Sequence, residues 1–373
     1  MKKIKVLQLP IAKTRAGITH YSMRNWDYID KTRFQFDFVT FSKSIDFEDE
    51  LTKDGCKVHY VSCYAEENRE QFITELRDIL SEGYDAIHLH TGHWKNFLVE
   101  EIAIEMRIPI IIVHAHNNMV GIDDPELRQQ AIDLHEQQKK MFMPYHATHF
   151  LACAKSAADW LYGPQIPKEN IRILKNAINI DKFSYNPGVR EEYRERLGLK
   201  DSFVIGHVGR FAYQKNHEML IEIFAKVSKE ISNAKLMLIG EGEGLESIQS
   251  TVSALGLQDR VLFLGRQSDI EVPKLMQAMD TFCLPSRFGG LDLVLVEAQT
   301  SGLKCLVSDI MPEEAKITDH IQYLPLDVEI WNDAIIELSE GYNRVDCKDI
   351  VANAGYSLTN QIHELEKIYS GQV

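Results

Sequence analysis

The sequence predicts an α/β protein built from two doubly wound parallel-sheet units that face each other across a cleft. Three observations lead there. The chain has 373 residues, more than one hydrophobic core usually organises. Short β-rich runs alternate with longer helical stretches from end to end, the pattern of parallel sheets covered by helices on both faces. The alternation pauses at a polar connector and restarts near residue 203.

In the first unit the predicted strands are residues 4–9, 36–39, 57–61, 86–89, 109–113, 150–153 and 171–174. Each is a short apolar run with turn or polar residues at its ends. Helical patterns lie between them, notably at 71–80 and over the long segment 125–141. The units join at 176–186. Pro187 and a charged helix at 190–197 follow, and strands resume at 203–208, 235–239, 261–264, 281–284 and 304–307. The closing segment 356–369 carries Leu358, Ile362, Leu365 and Ile368 at helical spacing, which reads as one packed face. This divides the chain into 1–178, with the last helix (356–371) packing back on it, and 179–355. Ligands of doubly wound sheets bind beyond the carboxyl ends of the strands, so functional residues are sought just after strands.

Composition narrows the function. With 45% hydrophobic and 26% charged residues the chain is globular, and no apolar run reaches the ~20 residues of a membrane span. The opening Met-Lys-Lys-Ile-Lys lacks the apolar core of a secretory signal, which points to the cytosol. Lys2, Lys3 and Lys5 read first as solvated charge, with a peripheral membrane contact left open. Six dispersed cysteines without a CxxC pair suit free thiols. A formal charge of −14 argues against nucleic acid as a partner.

The most informative stretch is His207-Val-Gly-Arg-Phe-Ala-Tyr-Gln-Lys-Asn-His217, directly after a strand and before a helix at 218–228. Gly209 lets backbone approach a ligand, while Arg210 and Lys215 offer a fork and a point charge to one diphosphate. Two unrelated cations on a solvated loop are the plainer reading. Gly240-Glu-Gly-Glu-Gly244 is a tight turn with no necessary ligand. The run 282–299 reads as strand, glycine loop and helix, whose first backbone N–H groups can meet an anion. Glu297, two turns in, is placed to accept from ribose hydroxyls or is simple surface charge. His114 and His116 follow one strand and His88, His90 and His93 another. Their spacing is no better than chance for a metal, and the latter three are held as acceptor-side candidates.

Taken together, Val208-Gly-Arg-Phe…Gln-Lys-Asn-His217, Gly240-Glu-Gly-Glu243, Phe263-Leu-Gly265 and Phe288-Gly-Gly-Leu…Glu-Ala-Gln299 resemble the retaining glycosyltransferases of family four, closest to bacterial exopolysaccharide and capsule enzymes. The likeness extends to Ala16-Gly17, Val113-His-Ala-His-Asn117 and Asn176-Ala-Ile-Asn179…Phe183. It implies a GT-B fold of two Rossmann-like domains. The activity it implies is sugar transfer from a nucleotide-diphosphate donor, most simply a UDP-sugar, to a saccharide or lipid-linked saccharide. By position it makes His116, Arg210 and Lys215 catalytic. Around the donor it places Gly17, Gly209, Glu241, Arg266, Gly289, Gly290, Leu291, Asp292, Leu293 and Glu297. Retention of anomeric configuration is implied by the family alone. No metal or other cofactor is expected, since no Asp-x-Asp stands beside a strand, and self- or hetero-association is left open.

One departure matters. The family's Glu-x7-Glu pair puts its first carboxylate where this chain has Gly289. That keeps a second reading alive, a non-catalytic partner subunit or inactive variant, and leads to the expectation that Gly289→Glu raises transfer. Asp292 is expected to cap the helix start instead of reaching the sugar. A GT-B epimerase or phosphorylase is a third reading, told apart by donor turnover.

Overall fold

The computed structural model of the protein describes residues 2–15, 17–122, 124–289 and 291–373. Among these residues the strands of the first unit are β1 (Ile4–Ile11), β2 (Phe34–Thr40), β3 (Val58–Tyr60), β4 (Ala86–Thr91), β5 (Ile110–Ala115), β6 (His149–Ala152) and β7 (Ile171–Ile173). They form one sheet in the order β3-β2-β1-β4-β5-β6-β7, every pairing parallel. Strands buried on both faces need apolar residues at successive positions. This is why Val6 and Leu7, or Ile111, Ile112 and Val113, are all buried.

The second unit repeats the plan with β8 (Phe203–Val208), β9 (Ala234–Ile239), β10 (Val261–Phe263), β11 (Thr281–Leu284), β12 (Lys304–Ser308) and β13 (Ile321–Leu324). Their order is β10-β9-β8-β11-β12-β13, again parallel throughout. Two apolar clusters, one around Phe282, Leu295 and Tyr356 and the other around Phe224, Leu238 and Trp331, form its core. In each sheet the order reverses beside the unit's first strand, between β1 and β4 and between β8 and β11. Connections leave such a switch point in opposite directions and open a crevice at the strand ends.

The chain separates into two compact units, one holding the residues up to Asn176 together with Thr359–Val373, the other Ala177–Leu358. The closing helix Leu358–Tyr369 buries Leu365, Ile368 and Tyr369. The Tyr369 ring packs against Phe34 and Phe36 of β2, with centroids 6.2 and 5.7 Å away. Polar ties reinforce it. Glu366 accepts from the Asp30 amide at 3.1 Å and pairs with Arg33, while Glu364 pairs with Arg172.

Local chemistry explains several boundaries. The long helix Pro125–Met141 starts on an Asp124 side chain that accepts from two first-turn amides, with Pro125 where its missing N–H costs nothing. Asn186 and Pro187 do the same for Pro187–Arg196, which begins three residues before the predicted helix. Strand β13 is absent from the sequence reading. It is four residues long, with Gln322 exposed between buried Ile321 and Leu324, too short for a period-2 signal.

Candidate functional site

Two loops meet at the switch point of the second unit, one after β8 and one after β11. The β8 loop passes through Gly209 and Arg210, makes a 3₁₀ turn at Tyr213–Lys215 and enters the helix His217–Glu230. Between turn and helix Asn216 adopts φ 56°, ψ 47°, a left-handed conformation that asparagine tolerates better than most side chains. The turn brings Lys215 back over the sheet end, where its Nζ lies 2.6 Å from Asp292 Oδ2. Lys215 is 12% exposed and Asp292 25%, so the pair is partly screened from water. Further contacts bind the loops together. Gln214 Nε2 donates to the Phe288 carbonyl (3.0 Å), the Arg287 amide donates to the Gln214 carbonyl (2.8 Å), and Arg287 also pairs with Glu218 (3.2 Å).

The glycine turn after β9 is stitched to the same β8 loop. Gly209 donates to the Ile239 carbonyl, Phe211 to Glu241 and Gly244 to Phe211, all within 3.0 Å. A Cβ at Gly240 would stand 2.0 Å from the Gly209 carbonyl oxygen, and one at Gly242 2.6 Å from that of Phe211. These glycines are thus explained by backbone contact with the β8 loop, without calling on a ligand. The turn's acids reach the candidate cations. Glu243 pairs with Arg210 at 3.0 Å and Glu241 with Arg266 at 3.4 Å, all four side chains more than 60% exposed.

The expected diphosphate grip is therefore divided between two environments. Lys215 is sequestered against Asp292, while Arg210 is a solvated cation held by Glu243. The capping role expected of Asp292 is not observed. It stands at the N-cap of Leu293–Thr300 but makes no side-chain cap bond, because its carboxylate is committed to Lys215. Leu291 and Leu293 are half-buried against the core. Glu297 is half-buried at the helix's fifth residue, a shorter reach than two full turns. Gly289 has φ 154°, rarely adopted by residues with side chains, and a Cβ there would lie 3.0 Å from Gln214 Nε2. Gly290 lies outside the described residues, as does Ala16.

In the first unit, polar side chains collect at the β1/β4 switch point. His88 and His90 project from the same side of β4, and β5 sets His114 beside His90 in register, with His116 just past its end. His90 Nδ1 lies 2.9 Å from His116 Nε2, and His88 Nε2 3.1 Å from His114 Nδ1. Gln8 of β1 and Tyr369 of the closing helix complete the group, with His88 Nδ1 2.7 Å from the Tyr369 hydroxyl and His90 Nε2 2.8 Å from Gln8 Oε1. Burial holds His88, His90 and His114 neutral, their pKa values well below the usual imidazole range, and lowers His116 to about 3. Ring nitrogens of His88, His90 and His114 all lie within 4.8 Å of one another, close enough for a cation. Here both ring nitrogens of His88 and His90 and the Nδ1 of His114 are engaged with Tyr369, Gln8, Ser22, His116 and each other. His93 lies beside Lys95 and His135, two residues beyond β4. Gly17 opens the helix Gly17–Tyr28 at φ 52°.

Gln8 and Tyr369 escaped the sequence reading. The available signal for Gln8 was a polar residue within an apolar strand; it is fully buried, which demands partners.

The two halves of the chain match two families in order. Residues 16–177 match the Glycosyl transferase 4-like domain and residues 189–350 the Glycosyl transferases group 1 domain. EpsF of Bacillus subtilis (strain 168), named as a glycosyltransferase, is 28% identical over 98% of this chain and 96% of its own length. The UDP-Gal:alpha-D-GlcNAc-diphosphoundecaprenol alpha-1,3-galactosyltransferase of Escherichia coli is 22% identical over 100% of this chain and 98% of its own. Among solved structures, Anabaena HepE in complex with UDP has the same fold, with a TM-score of 0.73 at 18% identity, covering 99% of this chain and 100% of that one. Two Rossmann-like parallel-sheet units, each matched by its own domain of one enzyme class, identify this chain as a GT-B glycosyltransferase of family four, related to the exopolysaccharide enzymes.

Proposed function

We propose that this glycosyltransferase takes its sugar from a UDP-sugar and passes it to a saccharide or lipid-linked saccharide in exopolysaccharide or capsule assembly. Transfer proceeds with retention and without a metal, on the cytoplasmic side of the membrane. The observation that carries the reading is the meeting of Lys215 and Asp292 at the β8/β11 switch point, where a half-buried ammonium stands at the strand ends. As the glycosidic bond breaks, negative charge gathers on the departing diphosphate. A cation already in place lowers that barrier without reorganising, an effect of ~3 kcal/mol for a well-placed donor. Lys215 supplies the sequestered charge, Arg210 reaches the diphosphate from its exposed pairing with Glu243, and Glu297 takes the ribose.

The relatives support the donor and the acceptor class. HepE has been solved with UDP-glucose as well as UDP, and the Escherichia coli relative is named for a UDP-galactose donor and a diphosphoundecaprenol acceptor. Among the described residues no helix is long and apolar enough to cross a membrane.

Gly289 favours a second reading, a partner subunit that binds nucleotide without turnover, because no carboxylate stands at that loop position. One assay separates the two. The full chain is incubated with a panel of UDP-sugars, a diphosphate-linked saccharide and a chelator. A transferred sugar in the donor's anomeric configuration is expected; nucleotide binding without product establishes the partner subunit, and free isomerised donor an epimerase.

A further inference from the structure

We propose that Gln8 and His90 are positioning residues that fix the tautomer of His116, leaving its Nδ1 unprotonated as a hydrogen-bond acceptor. The catalytic meaning of this rests on the reading of His116 as the residue at the sugar end of the site.

The direction of each hydrogen bond follows from its neighbour. Ser22, on the helix Gly17–Tyr28, lies 3.2 Å from the Ile18 carbonyl four residues back, which can only accept, so the serine O–H donates there. The Ser22 oxygen, 3.0 Å from His90 Nε2, is then an acceptor, and His90 Nε2 must carry the proton. Gln8 Oε1, 2.8 Å from the same nitrogen, accepts from it too. The other end of the Gln8 amide agrees, since Nε2 donates to the Tyr369 hydroxyl at 3.1 Å and that hydroxyl donates onward to His88 Nδ1 at 2.7 Å. A neutral imidazole protonated on Nε2 has a bare Nδ1. His90 Nδ1 therefore accepts across 2.9 Å from His116 Nε2, and the His116 proton is fixed there.

The reverse arrangement would make His90 Nε2 an acceptor. That requires Ser22 to abandon the Ile18 carbonyl and the buried Gln8 amide to turn over, reversing its bond with Tyr369. The proton on His116 is thus decided by a strand residue, Gln8, whose amide is in turn held by Tyr369, 361 positions away in the chain. Burial keeps all these rings neutral, so the tautomer and not the charge is what the network controls. An imidazole with a bare Nδ1 accepts from a sugar hydroxyl; it offers no donor there to a phosphate oxygen. His116 in this form is suited to a hydroxyl-bearing ligand group and not to a phosphate oxygen.

The test uses the full-length chain labelled with ¹⁵N-histidine, with the His116 signals assigned by their loss in His116→Gln. The wild-type spectrum should show His116 unprotonated at Nδ1 and protonated at Nε2; a proton on Nδ1, or on both nitrogens, overturns the proposal. In Gln8→Met, which removes the amide at nearly constant volume, the His116 tautomers should mix, and kcat should fall about tenfold with little change in donor KM. Gln8→Glu should restore both, because a buried, protonated glutamic acid accepts from His90 and donates to Tyr369 as the amide does. An unchanged His116 tautomer in Gln8→Met overturns the relay. A changed tautomer with unchanged kcat supports the relay and removes His116 from the sugar site, so the two claims fail separately.

Discussion

Lys215 Nζ lies 2.6 Å from Asp292 Oδ2, and the two residues are 77 positions apart in the sequence. An ammonium held by a carboxylate must exchange that partner for the diphosphate when a donor arrives. Asp292 therefore competes with the ligand while keeping the ammonium aimed. Asp292→Asn should tighten UDP binding by about two- to tenfold, the worth of a partly screened charge-assisted bond. Calorimetric titration of UDP into both forms checks it, and weaker binding in the variant would show that Asp292 orients Lys215 more than it competes.

Gly289 bears on stability as well as on chemistry. Its φ of 154° and the nearby Gln214 amide mean that any side chain is introduced against strain. Gly289→Ala and Gly289→Glu should each cost about 1 kcal/mol or more in chemical denaturation. This sets a cost against the gain in transfer that the sequence alone leads one to expect from the glutamate. Unchanged stability in both variants would show that the loop reshapes freely.

The buried imidazoles make the fold acid-sensitive. His88, His90, His114 and His207 are held neutral in the folded chain by burial but titrate near 6.5 once unfolded. Between those values the unfolded state binds more protons, so stability falls as pH drops below about 6.5, by up to about 1.4 kcal/mol per pH unit for each histidine. Glu100 opposes this by one proton, since burial raises its pKa to about 8 and the folded state binds the extra proton there. Denaturant titrations from pH 7.5 to 5 should show net loss on acidification, with a shallower slope in His114→Gln. A flat profile would contradict the burial of the network.

Much of the fold was legible because buried parallel strands are continuous apolar runs, and those need no partner to be recognised. The 203–208 run is of this kind, and the closing Leu358–Ile368 stripe is legible for a parallel reason, its apolar residues recurring at helical spacing. The edge strand β13 was not, since four residues with Gln322 exposed carry almost no pattern. At the site, the sequence marks Arg210, Lys215 and His116 through their place after strands. It does not show that Arg210 pairs with Glu243 while Lys215 pairs with Asp292, nor that Gln8 meets Tyr369, because these are tertiary contacts. The turn at Gly240 and Gly242 is legible as a turn, but its cause, backbone of the β8 loop within 3 Å, is visible only in the structure.

The central claim is that the loops after β8 and β11 hold a nucleotide diphosphate. It is tested most directly by calorimetric titration of UDP into the native chain, Lys215→Ala and Glu297→Ala. Losing a charge-assisted contact of about 1.5–3 kcal/mol should weaken UDP roughly 10- to 100-fold in Lys215→Ala, and loss of the ribose acceptor should weaken it measurably in Glu297→Ala. Native affinity in both variants would contradict the assignment.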